Sequence, residues 1–156
     1  MQQLEPADLK SLQAVTVTAR IISVAMAISI AMFGFVLKLT DRLVFDFEKF
    51  QSNLMSDQLT QIFTMLALIM FAMHLFIPKL LLQHTPAATA QAKIQKFAAA
   101  NTVRVAMLES TALMGFLVAM LNNEATLYAI FAALTIATIF ATIPTEDSIR
   151  EQIGLK

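Results

Sequence analysis

Glu109 lies inside the apolar run from Val105 to Asn123, where it is the only charged residue. Moving a carboxylate into hydrocarbon is costly, so such an acid is held neutral, paired, or in contact with a water-filled cavity. Two kinds of chemistry are open to it: proton binding and release, or a hydrogen bond that locks helices in register. His74 is the partner that depth suggests. It lies as far inward from Lys79 as Glu109 does from Arg104, about 7.5 Å by the helical rise. On antiparallel neighbours the two would be level, and an acid and imidazole pair would titrate as a coupled unit near neutral pH. The alternative is that Glu109 bonds Ser110, Thr111 or backbone groups across a helix interface and serves packing alone. Arg104 is turned about 140° round the helix from Glu109. It is expected to anchor at the interface, by snorkelling to lipid phosphates or by meeting the ends of other spans.

These residues need membrane-crossing helices to position them. A hydrocarbon core roughly 30 Å thick takes about 17 to 25 apolar residues per helical span, and four blocks approach that length. Arg20 and Lys38 bracket the first, Asp57 and Lys79 the second; the third carries Glu109, and Glu124 and Glu146 bracket the fourth. The chain is 58% hydrophobic and 14% charged, whereas soluble domains carry about 25% charged residues. A soluble helical bundle would also show polar stripes, which these blocks lack. The fold predicted is all-α: an integral membrane four-helix bundle forming a single domain over residues 1–156. Its spans are expected at about 16–38, 58–79, 98–122 and 125–144, with an interfacial amphipathic helix at about 39–56. A cleaved signal peptide does not fit the first block, because Glu5 and Asp8 precede it and the apolar run is too long. Glu5 to Arg20 reads as a short amphipathic lead-in, with Pro6 suited to a first helical position.

Basic residues set the expected orientation. With both termini in the cytoplasm, Lys10, Arg20, Lys79, Lys93, Lys96, Arg104, Arg150 and Lys156 fall inside, against Lys38, Arg42 and Lys49 outside. The positive-inside rule therefore predicts N-in and C-in. The formal net charge of zero carries no weight here. Absence of cysteine excludes disulfides, thiol catalysis and cluster ligation by this chain.

Between the first two spans, Leu39, Leu43, Phe47, Phe50 and Leu54 recur on one helical face, which predicts a helix lying in the headgroup plane. His84, Thr85 and Pro86 predict a turn, with His84 solvated. Ala90 to Leu121 lacks proline and reads as one long helix. Pro144 stops the fourth span, and Thr145 can cap a short helix opened by Glu146 and Asp147. Small residues recur at close-packing spacing: Ser23, Ala27, Ala31 and Gly34; Thr111, Gly115 and Ala119; Ala129, Ala133, Ala137 and Ala141. Membrane helices approach through such stripes. They are expected to face helices of the same chain, with the alanine stripe also able to serve as a homo-oligomer seam. The methionines and phenylalanines are assigned to packing and lipid contact.

Two resemblances follow from the third span. Glu109-Ser-Thr-Ala-Leu-Met-Gly115 resembles the ion-binding helix of rotary ATPase proteolipid subunits, which implies Glu109 as the ion-carrying acid and Gly115 as a close-packing glycine. That likeness covers one helix, and the glycine-rich hairpins of a rotor ring are missing from a chain with three glycines. A wider resemblance is to small four-span bacterial membrane proteins of uncharacterised function. Arg104, Ala106, Glu109, Ala112, Gly115 and Phe116 carry it on the third span, and Pro144, Thr145 and Ile149 after the fourth. It implies four-span topology and a bacterial inner membrane, and brings no activity with it.

No glycine-rich nucleotide loop occurs, no Ser, His and acid set can be assembled for hydrolysis, and the basic segment is too small for nucleic acid. Two histidines without cysteine make no metal site, and no cofactor or catalytic residue is expected. The leading expectation is a structural or accessory membrane component, not an enzyme, with Glu109 fixing helix register. The alternative is a proton-coupled carrier or channel that uses Glu109, with or without His74. Expected partners are the lipid bilayer and a membrane protein or second copy docked along the alanine stripe.

Overall fold

The computed structural model describes residues 5–83 and 89–154. These form six helices: α1 (Pro6–Leu39), α2 (Phe47–Ser56), α3 (Gln58–Gln83), α4 (Ala90–Asn122), α5 (Thr126–Ala141) and α6 (Glu146–Ile153). No strand occurs among the described residues. Pro6 opens α1, where its fixed φ suits the first turn and its missing N–H is not needed. Glu5 and Asp8 cap one another reciprocally. α1 then runs unbroken for 34 residues, so the expected lead-in and first span are one continuous helix. It stops where Asp41 takes a left-handed φ of 53°. α4 is likewise unbroken over 33 residues and ends on Asn123, also left-handed at φ 52°.

α1, α3 and α4 are each long and apolar enough to cross a membrane. α5 and α6 meet that measure only as a pair, and the pair is bent by 86°. The expected fourth span over 125–144 is therefore helical only from Thr126 to Ala141, 16 residues, or about 24 Å. α3 contains Pro78, which removes the N–H that would close on the His74 carbonyl.

Large apolar side chains are left exposed far beyond what a soluble protein tolerates. On α1 the buried positions include Thr16, Ala19, Ser23 and Ala27, while Val17, Ile21, Val24, Ile28, Met32 and Phe35 point outward. α3 buries only Thr60, Ala67 and His74 and exposes Leu59, Ile62, Met65, Leu68 and Ile69. Contiguous apolar surface on this scale marks a face made for a non-aqueous neighbour.

α4 is the central helix and packs against α1, α3, α5 and α6. Its small residues Thr111, Gly115 and Ala119 are buried. A Cβ on Gly115 would lie 2.9 Å from Tyr128 Cα, and one on Gly34 would lie 3.0 Å from the Tyr128 hydroxyl. The two glycines thus make room for Tyr128 between α1 and α4, and its hydroxyl donates to the Ile30 carbonyl. The alanine stripe of α5 behaves differently. Ala133, Ala137 and Ala141 are exposed and Ala129 is half-buried, so it does not face the chain's other helices as expected. The large residues Leu127, Tyr128 and Phe131 occupy the inner face, because the space they need is supplied by glycine and alanine on the opposing helices.

At one end of the bundle, Leu12, Ile94, Phe97, Ile149 and Ile153 form a cluster that folds α6 back onto the starts of α1 and α4. Arg20 Nε donates to the Pro144 carbonyl at 3.1 Å and Arg104 Nη2 to the Thr142 carbonyl at 2.8 Å, holding the α5–α6 corner. At the other end the chain has no regular structure before α2, and the Val44 carbonyl accepts the Ala125 N–H at 2.7 Å. The amphipathic helix expected over 39–56 consequently begins only at Phe47, where Asp46 caps it by accepting from the Lys49 N–H at 2.9 Å. The turn expected at His84, Thr85 and Pro86 lies outside the described residues.

Candidate functional site

Glu109 projects from α4 toward α1, where its Oε1 accepts a hydrogen bond from Ser29 Oγ at 2.5 Å. Both residues are half-buried. The neighbouring hydroxyls are satisfied elsewhere: Ser110 Oγ donates to Ala106 O at 2.8 Å, and Thr111 Oγ1 contacts Met107 O at 3.0 Å and Ala67 O at 3.4 Å. Gly115 serves Tyr128 and not the acid.

His74 does not pair with Glu109. Its ring Nδ1 donates to the Phe71 carbonyl, and the ring packs against that of Phe71 at 4.8 Å between centroids. The physical reason is azimuth. Thr111 reaches Ala67 on α3 and so marks the face of α4 that meets α3. Glu109, two residues earlier, is about 200° away round the helix. Depth places His74 and Glu109 level, yet α4 itself stands between them.

Arg104 is seven residues before Thr111 and shares its face, within about 20°. Its Nη2 donates to Asn101 Oδ1 and to Thr142 O, both at 2.8 Å. Of its two expected roles, it takes the one in which it meets the ends of other helices. A cavity of about 470 Å³ opens beside it, lined by His74, Pro78 and Lys79 of α3, Thr142 after α5, and Gln152 of α6. His74 is buried, with 4% of its surface exposed. The expected candidates are therefore divided: Glu109 belongs to the α1–α4 seam, while His74 and Arg104 share a basic cavity.

Three polar features escaped sequence reading. Ser29 was signalled only by being, with Ser23, one of two polar residues between Ile21 and Leu37. Glu124 is buried, 1% exposed, and its carboxylate accepts the Thr126 N–H at 2.5 Å to cap α5. Asp57 starts α3 by accepting from the Thr60 N–H at 3.0 Å and from the Thr60 hydroxyl. Asn122 of α4 reaches the same pair, 2.6 Å from Thr60 Oγ1 and 3.4 Å from Asp57 Oδ2. The Thr60 hydroxyl and N–H hold the Asp57 carboxyl below its ordinary pKa of 3.8. In the sequence both acids mark only the boundaries of spans. No group of three or more His, Asp or Glu able to hold a metal ion occurs among the described residues.

No protein-family model, curated protein or solved structure matches this chain.

Proposed function

We propose that the chain is an integral membrane four-helix bundle, with both termini on the cytoplasmic side, acting as a structural or accessory component and not as an enzyme. The observation that carries the reading is the Ser29 hydroxyl on Glu109 Oε1 at 2.5 Å. In a lipid setting no water competes for that bond, and a carboxyl satisfied by a neighbouring helix fixes the rotation of α1 against α4. The outward apolar faces of α1 and α3 support membrane embedding. The gathering of Arg20, Arg104 and α6 at one end supports placing that end in the cytoplasm. On this reading α2, with Phe47 and Met55 exposed, lies along the opposite headgroup layer. The outward alanine stripe of α5 is its partner surface.

The test compares wild type with Glu109→Gln. In proteoliposomes under a pH gradient, neither should conduct protons, and both should bring down the same membrane partner or second copy in mild detergent. Proton flux by wild type that is lost in Glu109→Gln would establish a proton-coupled carrier instead. A solitary species in every mild detergent would reject the accessory role.

A further inference from the structure

The cavity at the α3–α4–α6 end carries the cationic side chains of Lys79 and Arg104 with no balancing acid among the described residues. Its lining includes His74, Lys79 and Arg104, alongside the apolar Leu75, Pro78 and Leu82, with no carboxylate among the described residues. Arg104 spends only Nη2 on protein acceptors. Nε is sealed from solvent and so beyond a ligand's reach, while Nη1 has no partner among the described residues and is the donor left for one. A guanidinium left this incompletely bonded is matched by a planar or tetrahedral oxyanion.

His74 adds a second, independent constraint. A carbonyl oxygen can only accept, so the contact with Phe71 O fixes the proton of the neutral ring on Nδ1. Nε2 is then a bare acceptor, and among the described residues nothing donates to it. The pocket therefore offers donors from Arg104 and Lys79, an acceptor from His74, and an apolar wall. The complementary ligand has a phosphate, a hydroxyl beside it, and a hydrocarbon part.

We propose that this cavity binds the head of an anionic phospholipid bearing a free hydroxyl, as in phosphatidylglycerol, from the cytoplasmic leaflet. The phosphate lies on Arg104 and Lys79, the head hydroxyl donates to His74 Nε2, and the proximal acyl chain runs along Leu75, Pro78 and Leu82. Basic pockets between helices at the cytoplasmic face are suited to such heads. The volume of about 470 Å³ accommodates a head group and the start of its chains.

The proposal rests on the membrane reading above, and incorporation of the full chain into nanodiscs checks that reading on its own. Short-chain dioctanoylphosphatidylglycerol is then titrated into the detergent-solubilised protein and followed by native mass spectrometry and calorimetry. Dioctanoylphosphatidylcholine and inorganic phosphate serve as the other two probes. Expected are saturable binding of the phosphatidylglycerol, roughly tenfold or greater weakening in Lys79→Gln and in Arg104→Gln, and no change in Glu109→Gln. His74→Phe, which removes the acceptor for the head hydroxyl, should narrow the preference for phosphatidylglycerol over phosphatidylcholine. Because Arg104 also holds the α5–α6 corner, the exposed Lys79 variant is the one whose fold is not in question. Equal binding of phosphatidylcholine, an equal response to inorganic phosphate alone, or unaltered affinity in Lys79→Gln would each overturn the assignment.

Discussion

The backbone of Tyr128 rests on Gly115, so close that a methyl group there would lie 2.9 Å from Tyr128 Cα and 3.2 Å from its nitrogen. Backbone cannot swing aside as a side chain can. Gly115→Ala should therefore separate α5 from α4 and destabilise the bundle by about 1–3 kcal/mol. Gly34→Ala meets the tip of the same ring at 3.0 Å and should cost less. Adding Tyr128→Phe should relieve Gly34→Ala and leave Gly115→Ala unrelieved. Thermal unfolding in detergent of the three variants and the two double variants checks the order.

Ser29→Ala and Glu109→Ala should each lower stability, by about 0.5–2 kcal/mol. The double variant should lose less than the sum, because both remove one bond. An unfolding cycle in mixed detergent micelles measures the coupling. Additive losses would dissolve the clamp.

Asp57 makes stability depend on acid. Its folded pKa is below its ordinary value of 3.8, so its contribution is fully present above that value and is lost as pH falls through the folded one. Melting of wild type followed downward from pH 5 should show this loss. Asp57→Asn, which no longer titrates, should melt lower at neutral pH and show a shallower fall in acid.

Leucine at Ala133 and Ala137 tests the outward stripe of α5. Both are exposed, so the fold should tolerate the larger side chain with a change within about 0.5 kcal/mol. Association through that face should be lost, as seen by cross-linking in membranes or by single-molecule photobleaching.

Helix existence was written in the sequence wherever composition alone decides it. α4 follows from a proline-free run, and the apolar half of α1 from the block between Arg20 and Lys38. Rotation about the helix axes was not. Equal distances from Lys79 and Arg104 gave His74 and Glu109 the same height, but height says nothing of which way a side chain faces. The contact of Thr111 with Ala67 that turns Glu109 away from α3 is long-range. The alanines of α5 face outward rather than the chain's other helices for a related reason: a small residue permits close approach without requiring it. In α5 the approach is made by Tyr128 against glycines on the other helices. The stretch before α2 has a helical pattern, yet Asp41 in the left-handed region and the Val44 to Ala125 bond leave it without helix until Phe47. The apolar spacing was real, but local pattern yields to a tertiary hydrogen bond.

The 86° corner between α5 and α6 leaves a straight rod of only 16 residues beside helices of 34 and 33. On the four-span reading, a bilayer wrapped around this molecule would meet two hydrophobic heights, ample on the α1 flank and short by roughly 6 Å on the α5 flank, given a core of about 30 Å. Lipid beside α5 must thin, at a fraction of a kcal/mol per Å. That strain is relieved when a second short flank comes alongside, so thicker membranes should drive these molecules together and thinner ones should let them disperse.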